Sequence, residues 1–264
     1  MKRRLMVGTG WKMNHLIADT RSYARVLRSQ LGPMDIAAVD IFVLPPFTAL
    51  AAAVEALAGS PVGVGGQNMH WEESGAWTGE ISASMLAETG CRYVELAHSE
   101  RLQHFNETYS RVRLKINAAL AHRLIPILCL GETEAEKTAG RAGEILAHQI
   151  ETALADVDSV RLPEVVLAYE PRWAIGAAQA ASAEYAESQH RHIRTVLQAR
   201  WGEAAAQATR IIYGGSVSPA TGPELIRQAN IDGLFIGRSA WKPEGFAQLV
   251  ALVAAAASTK EPSP

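Results

Sequence analysis

Short apolar, β-rich runs alternate with longer Ala/Leu/Arg/Glu-rich helical stretches from one end of the chain to the other. The strand candidates are Leu5–Val7, Ile41–Leu44, Gly63–Gly66, Tyr93–Leu96, Ile125–Cys129, Val165–Ala168, Ile211–Tyr213 and Leu234–Ile236, each followed by a turn-rich segment and a helical pattern. Helix signals fall in the intervals. Asn106-Glu107 opens a periodic run through Leu120, Ser182-Ala183-Glu184 precedes another, and Ser218-Pro219 and Lys242-Pro243 place prolines near helix starts. Repeated βα units predict eight parallel strands in a single sheet.

Eight parallel strands either close into a barrel, which leaves no exposed edge, or form an open doubly wound sheet with edge strands and a crevice. Strand count leaves both open. In either architecture a ligand site gathers at the carboxyl ends of the strands. No Pro/Gly/Ser linker or charge block divides the chain, so one domain is expected over residues 1–257, with 258–264 as a disordered tail. A length of 264 residues suits one α/β barrel, since these run to about 200–250 residues as a single domain.

Composition narrows the function classes. Apolar residues make up 48% and charged residues 20%, which fits a globular chain with a sizeable core and excludes disordered and fibrous classes. With 25 Lys and Arg against 27 Asp and Glu, there is no broad cationic field for nucleic acid or anionic lipid, and an anionic substrate needs a local site. The stretch Leu249 to Ala257 is too short to span a bilayer and reads as a core-facing terminal helix. The basic start Met1-Lys2-Arg3-Arg4 is followed by no signal-peptide apolar core, so a cytoplasmic location is expected. Cys91 and Cys129 are far apart and lack metal-ligand spacing, and Cys129, after an apolar strand, reads as a small buried hydrophobe rather than a nucleophile.

The predicted carboxyl ends carry Lys12 after the first strand, His98 after the fourth, Glu170 after the sixth, Gly214-Gly215-Ser216 after the seventh and Gly237 after the eighth. A carboxylate removes a carbon-bound proton effectively only when the neighbouring carbonyl is polarised, so that the enediolate's charge is stabilised as it forms. Lys12 and His98 are the candidate stabilisers, and the glycine turns offer unobstructed backbone N–H groups to a phosphate. The other seven histidines, His15, His70, His104, His122, His148, His190 and His192, lack a motif at a strand end and are assigned no chemistry.

The segments that carry these residues are Gly8-Thr9-Gly10-Trp11-Lys12-Met13-Asn14, Ala97-His98-Ser99-Glu100-Arg101, Ala168-Tyr169-Glu170-Pro171-Arg172-Trp173-Ala174-Ile175-Gly176 and Tyr213-Gly214-Gly215-Ser216-Val217. Together with Gln67-Asn68, Gly75 through Ser82 and Cys129-Leu130-Gly131-Glu132, they resemble the triosephosphate isomerase family, in family order over nearly the whole chain. The resemblance implies a (β/α)8 barrel in which Glu170 is the base, His98 a neutral electrophile, Lys12 a substrate ligand and Glu100 a support for Lys12. The neutral-imidazole logic is that of the family's own type enzyme. It further implies that Gly10, Gly176, Gly214, Gly215, Ser216, Gly237 and Arg238 lie at the substrate or its phosphate, and that no metal or organic cofactor takes part. Residues 169–181 match the family's mobile lid, as in that same enzyme. Gly75 to Glu80 matches its interdigitating loop, which implies a homodimer. Packing is expected to account for Trp77 and Trp173.

Three positions and one short segment depart from the family. Gly10 replaces an Asn whose amide points at the substrate, Arg238 replaces a second phosphate-binding Gly, Arg172 replaces a small apolar residue, and Ala177 to Ala181 replace a Thr-Gly-Lys-Thr-like hinge. Arg238 either meets the phosphate or turns to solvent or a surface carboxylate, and Arg172 reads as a solvent-facing change. The family default is interconversion of dihydroxyacetone phosphate and glyceraldehyde 3-phosphate, in glycolysis and gluconeogenesis. The departures resemble a branch that isomerises four-carbon erythrulose phosphates, L-erythrulose 1-phosphate to D-erythrulose 4-phosphate. A minor alternative is a non-catalytic sugar-phosphate binder on a retained barrel.

Overall fold

All eight expected strands form, with ends displaced by three residues or fewer, in the computed structural model, which describes residues 3–176 and 181–259. They are β1 (Leu5–Gly10), β2 (Val39–Leu44), β3 (Val62–Gly66), β4 (Tyr93–Leu96), β5 (Ile125–Leu130), β6 (Val166–Tyr169), β7 (Arg210–Gly215) and β8 (Gly233–Ile236). Each pairs in parallel with its successor, and β8 pairs back onto β1 from Met6 opposite Gly233 to Thr9 opposite Ile236. The sheet is therefore a closed barrel with no edge left to protect. Between the strands run α1 (Ile17–Leu31), α2 (Leu50–Leu57), α3 (Ala83–Glu88), α4 (Ser99–His104), α5 (Tyr109–Ala121), α6 (Glu134–Thr138), α7 (Ala142–Ala153), α8 (Ala183–Trp201), α9 (Glu203–Ala208), α10 (Gly222–Arg227) and α11 (Pro243–Thr259). Among the described residues no helix is long and apolar enough to cross a membrane.

Side-chain alternation divides two cores. Met6, Phe42, Tyr93, Ile127, Val166 and Ile212 point into the barrel, while Leu5, Val7, Val94 and Leu128 face the helices. The interior aromatics fit because small residues stand opposite them. A Cβ at Gly8 would fall 2.0 Å from Phe42 Cζ, and one at Gly63 would fall 2.5 Å from Tyr93 Cε2.

Helix starts follow their caps. Ser182 caps α8, its hydroxyl accepting from the Tyr185 N–H at 3.2 Å. The expected start of α5 at Asn106-Glu107 is corrected to Tyr109, because the Thr108 hydroxyl accepts from the Arg111 N–H. Asn106 has a left-handed backbone (φ 52°) and Glu107 is buried in ion pairs with Lys115 and Arg101, so these residues turn and tie the chain. Ser218-Pro219 likewise precede α10, whose first turn holds Pro223 instead. The terminal helix α11 buries Leu249, Val250, Val253 and Ala257 as expected, and runs to Thr259, two residues into the expected tail. Residues 260–264 lie outside the described residues.

Candidate active site

Two strand ends turn into the mouth of the barrel through left-handed, non-glycine residues. Lys12 (φ 53°) follows β1 and Ala97 (φ 64°) follows β4. Such conformations cost on the order of 1–3 kcal/mol each and persist where the surroundings over-determine them. The surroundings here are specific: Gln67 Nε2 donates to the Lys12 and Leu44 carbonyls, both at 2.9 Å, and Trp241 Nε1 donates to the Gly10 carbonyl at 3.1 Å.

The turn at Ala97 sets His98 as the N-cap of α4. Its Nδ1 accepts the Glu100 backbone N–H at 3.2 Å, which leaves Nε2 as the ring nitrogen free to donate. Nε2 faces Glu170 Oε2 at 3.9 Å. Lys12 Nζ donates to Glu100 Oε1 at 2.6 Å. Burial alone would raise the Glu100 carboxyl, but the Lys12 hydrogen bond and nearby charges hold it below the ordinary carboxylate range.

Glu170 follows β6 and is 7% exposed, with no hydrogen-bond partner for Oε2 among the described residues. Burial raises its pKa, against the opposing pull of His98 and Lys12. A carboxylate kept short of partners is a stronger base than a solvated one. Gly214, expected at the phosphate, stands against Glu170. A Cβ there would fall 2.6 Å from Glu170 Cγ and Oε1, so the missing side chain is the clearance that this carboxylate needs.

The segment after Glu170 is anchored by Glu132, which is fully buried and accepts from the Tyr169 hydroxyl (3.1 Å), Trp173 Nε1 (2.8 Å) and the Tyr185 hydroxyl (2.9 Å). Sequence reasoning placed Glu132 in a matched segment without giving it a role. Arg172 is not simply solvent-facing, since its side chain is half-buried and its charge opposes the upward push of burial on the Tyr109 hydroxyl. Of the altered hinge, residues 177–180 lie outside the described residues.

A cavity of about 590 Å³ opens over these groups, a size suited to a small ligand. Gly10, Lys12, His98, Glu100 and Glu170 line one side. Gly176, Gly215, Ser216, Gly237 and Arg238 line the other, which brings together the expected phosphate residues except Gly214. Ser216 Oγ donates to the Ala174 carbonyl at 3.0 Å, tying the base of the lid segment to the turn after β7. A Cβ at Gly237 would meet nothing within 4 Å. Arg238 is exposed on the rim and pairs with no carboxylate among the described residues.

Glu95 is the residue that motif reading missed. The alternation of β4 points it inward with Tyr93, it is 6% exposed, and it lines the same cavity. Burial raises its carboxyl to about 7. The available signal was an acidic residue at an inward position of an otherwise apolar strand, three residues before His98. Glu95, His98 and Glu170 place one potential ligand atom each within 4.8 Å of one another, spacing that suits a cation. The same spacing lets the three groups meet one ligand together.

Cys129 is buried, its thiol pushed well above the ordinary range by burial, in keeping with a packing role. Trp173 is partly buried as expected, whereas Trp77 is 47% exposed, with its ring 4.4 Å from that of His70. Of the histidines given no chemistry, His190 is buried against the Ala186 carbonyl and pushed down to about 4 by burial.

A family model for triosephosphate isomerase matches residues 5–253. Relatives named L-erythrulose-1-phosphate isomerase include one from Mesorhizobium japonicum, 44% identical over 95% of this chain and 97% of its own. Another, from Rhizobium meliloti, is 46% identical over 97% and 99%, and one from Brucella abortus is 44% identical over 94% and 96%. With these matches covering the assembled Lys12, His98, Glu100 and Glu170, the chain belongs to the triosephosphate isomerase family and is an isomerase.

Proposed function

We propose that this isomerase interconverts L-erythrulose 1-phosphate and D-erythrulose 4-phosphate, in preference to the three-carbon reaction that is the family default. The observation that carries the reading is the glycine at position 10. No side chain stands there between the reacting groups and Phe235, whose Cζ lies 3.5 Å from where a Cβ would be. The four-carbon ketose carries a hydroxymethyl group where the three-carbon ketose carries hydrogen, and the missing side chain leaves room for it. The names and near-complete coverage of the relatives support the same choice.

In this reaction Glu170 takes the proton from C3, and the electron pair of that C–H bond forms the C2–C3 double bond of an enediolate. His98 Nε2–H and Lys12 stabilise the oxygen that gains charge, as preorganised donors do. Reprotonation at C2, with the hydroxyl proton moved between the two oxygens, leaves the carbonyl at C3. Gly215 and Gly237 offer backbone N–H groups, and Arg238 a guanidinium, to the phosphate. The binding-only alternative is set aside because the four chemical groups are assembled at one cavity.

The test follows L-erythrulose 1-phosphate by NMR in deuterated water. D-erythrulose 4-phosphate should form with deuterium at the carbon that receives the proton, and a chelator should not change the rate. No product and no exchange would contradict the reading.

We also propose a homodimer through the loop of residues 75–80. In support, that loop is exposed throughout, and Met13 (95% exposed) and Leu16 (76%) are large apolar residues facing outward after β1. Light scattering should give twice the chain mass, and Trp77→Glu should shift it towards the monomer.

A further inference from the structure

Proton transfer as described needs one buried carboxylate, yet the mouth of the barrel holds two. Glu95 sits on the floor of the cavity beside the first and near His98, above the apolar residues of the barrel interior. Its Oε1 meets only the Cys129 thiol, at 3.8 Å, a weak donor. No guanidinium or ammonium hydrogen-bonds it among the described residues. Burying such a group is unfavourable, and an apolar side chain would fill the same place at no electrostatic penalty. An unpaired acid at the base of a cavity is therefore a candidate for ligand contact.

Its position says which part of the ligand. Oε2 lies 3.7 Å from where a Cβ at residue 10 would stand. The gap left by Gly10 and the free oxygen of Glu95 are thus the same place, bounded on its other side by Phe235. The reacting carbons must lie within reach of Glu170, His98 Nε2 and Lys12, and the phosphate lies towards Gly215 and Gly237. The substituent at the far end of the substrate from its phosphate then points at Gly10 and Glu95.

We infer that Glu95 is a specificity-determining residue, whose carboxyl accepts a hydrogen bond from the terminal hydroxymethyl group of a four-carbon ketose phosphate. This rests on the four-carbon reading above and names the contact that enforces it. A carboxyl raised to about 7 is present in both forms near neutrality, and each can pair with a hydroxyl, the anion as acceptor and the acid as donor or acceptor. A site built around a buried polar group discriminates strongly, because a ligand without the hydroxyl leaves that group buried and unpaired.

The experiment compares two substrates, L-erythrulose 1-phosphate and its 4-deoxy analogue, in which a methyl group replaces the hydroxymethyl. In the wild type, kcat/KM should favour the hydroxylated substrate by at least about tenfold. Glu95→Leu should lower that preference ratio at least about tenfold, and Glu95→Gln, which keeps the shape but exchanges the carboxyl for an amide, should lower it several-fold. A ratio unchanged in both variants, including equal losses on both substrates, overturns the inference while leaving the four-carbon reading intact. A wild type that turns over dihydroxyacetone phosphate but not L-erythrulose 1-phosphate overturns both. Should Glu95→Leu fail to fold, the ratio in Glu95→Gln decides alone.

Discussion

The foot and the mouth of the barrel both bury carboxyl groups, and they treat them in opposite ways. At the foot, Asp232 just before β8 accepts from Arg3 Nε at 2.6 Å, from the Arg194 guanidinium at 2.8 Å and from the Ile211 N–H at 2.9 Å. At the mouth, Glu95 and Glu170 are buried with no such cation hydrogen-bonded to them among the described residues, and burial raises both. The foot satisfies its charges and so holds strand and helix together. The mouth leaves its charges short of partners, which is unfavourable for folding and useful for taking a proton and meeting a hydroxyl. Asp232 is thus supplied with donors, as the anchoring Glu132 is by the Tyr169, Trp173 and Tyr185 side chains, whereas Glu95 and Glu170 are not.

The largest effect expected from this contrast is at Glu170. Glu170→Gln should reduce kcat by about 10²–10⁴, the usual contribution of a positioned base, with the thermal midpoint unchanged or raised. A variant that retained a tenth of wild-type turnover would remove Glu170 from the base role. At the foot the outcome should reverse. Asp232→Ala leaves two buried guanidinium groups without their anion, and breaking a buried pair in this way typically destabilises by about 3–5 kcal/mol. Denaturant unfolding should show that loss, while kcat of the remaining folded protein stays near wild type.

A smaller effect, and one that separates the two regions without touching the foot, is the pH dependence of stability. Glu95 holds its proton more tightly folded than unfolded, so its contribution to stability is complete below about pH 4.5 and is lost as pH rises through about 7. The rise from 4.5 to about 7 corresponds to on the order of 3 kcal/mol, and Glu170 acts in the same direction. Thermal melts from pH 4.5 to 8 should therefore show a decline that Glu95→Gln makes shallower. An identical slope in that variant would mean that Glu95 is not the buried acid described. The smallest effect concerns the phosphate side. Because a Cβ at Gly237 meets open space, Gly237→Val should fold normally and raise KM by roughly tenfold or more with a smaller change in kcat. An unchanged KM would move the phosphate away from that turn.

The sequence pattern carried the barrel well because period-two runs and helical intervals are local signals, and all eight strands lie within three residues of their expected places. The end residues Lys12, His98 and Glu170 were legible for the same reason, since each lies within two residues of a strand end. The clearance that Gly214 gives Glu170 was not legible, because sequence does not distinguish a glycine that exposes its N–H from one that clears space for a side chain following a neighbouring strand. Helix α5 began late because Glu107 found Lys115 and Arg101, contacts that only folding brings together. Glu95 went unnoticed because attention to strand ends passes over the strand itself, where one acidic residue among apolar ones carries no motif.

The substrate reading is tested most directly by the ratio of kcat/KM for L-erythrulose 1-phosphate to that for dihydroxyacetone phosphate, in wild type and in Gly10→Asn. The wild type should favour the four-carbon substrate. A Cβ at residue 10 is accommodated at 3.5 Å from Phe235 and 3.7 Å from Glu95, so the variant should fold. The amide beyond that Cβ enters the space meant for the hydroxymethyl group, and the ratio should fall by at least about tenfold. A wild type that turns over dihydroxyacetone phosphate efficiently and ignores L-erythrulose 1-phosphate, with no change of ratio in Gly10→Asn, would contradict the four-carbon reading.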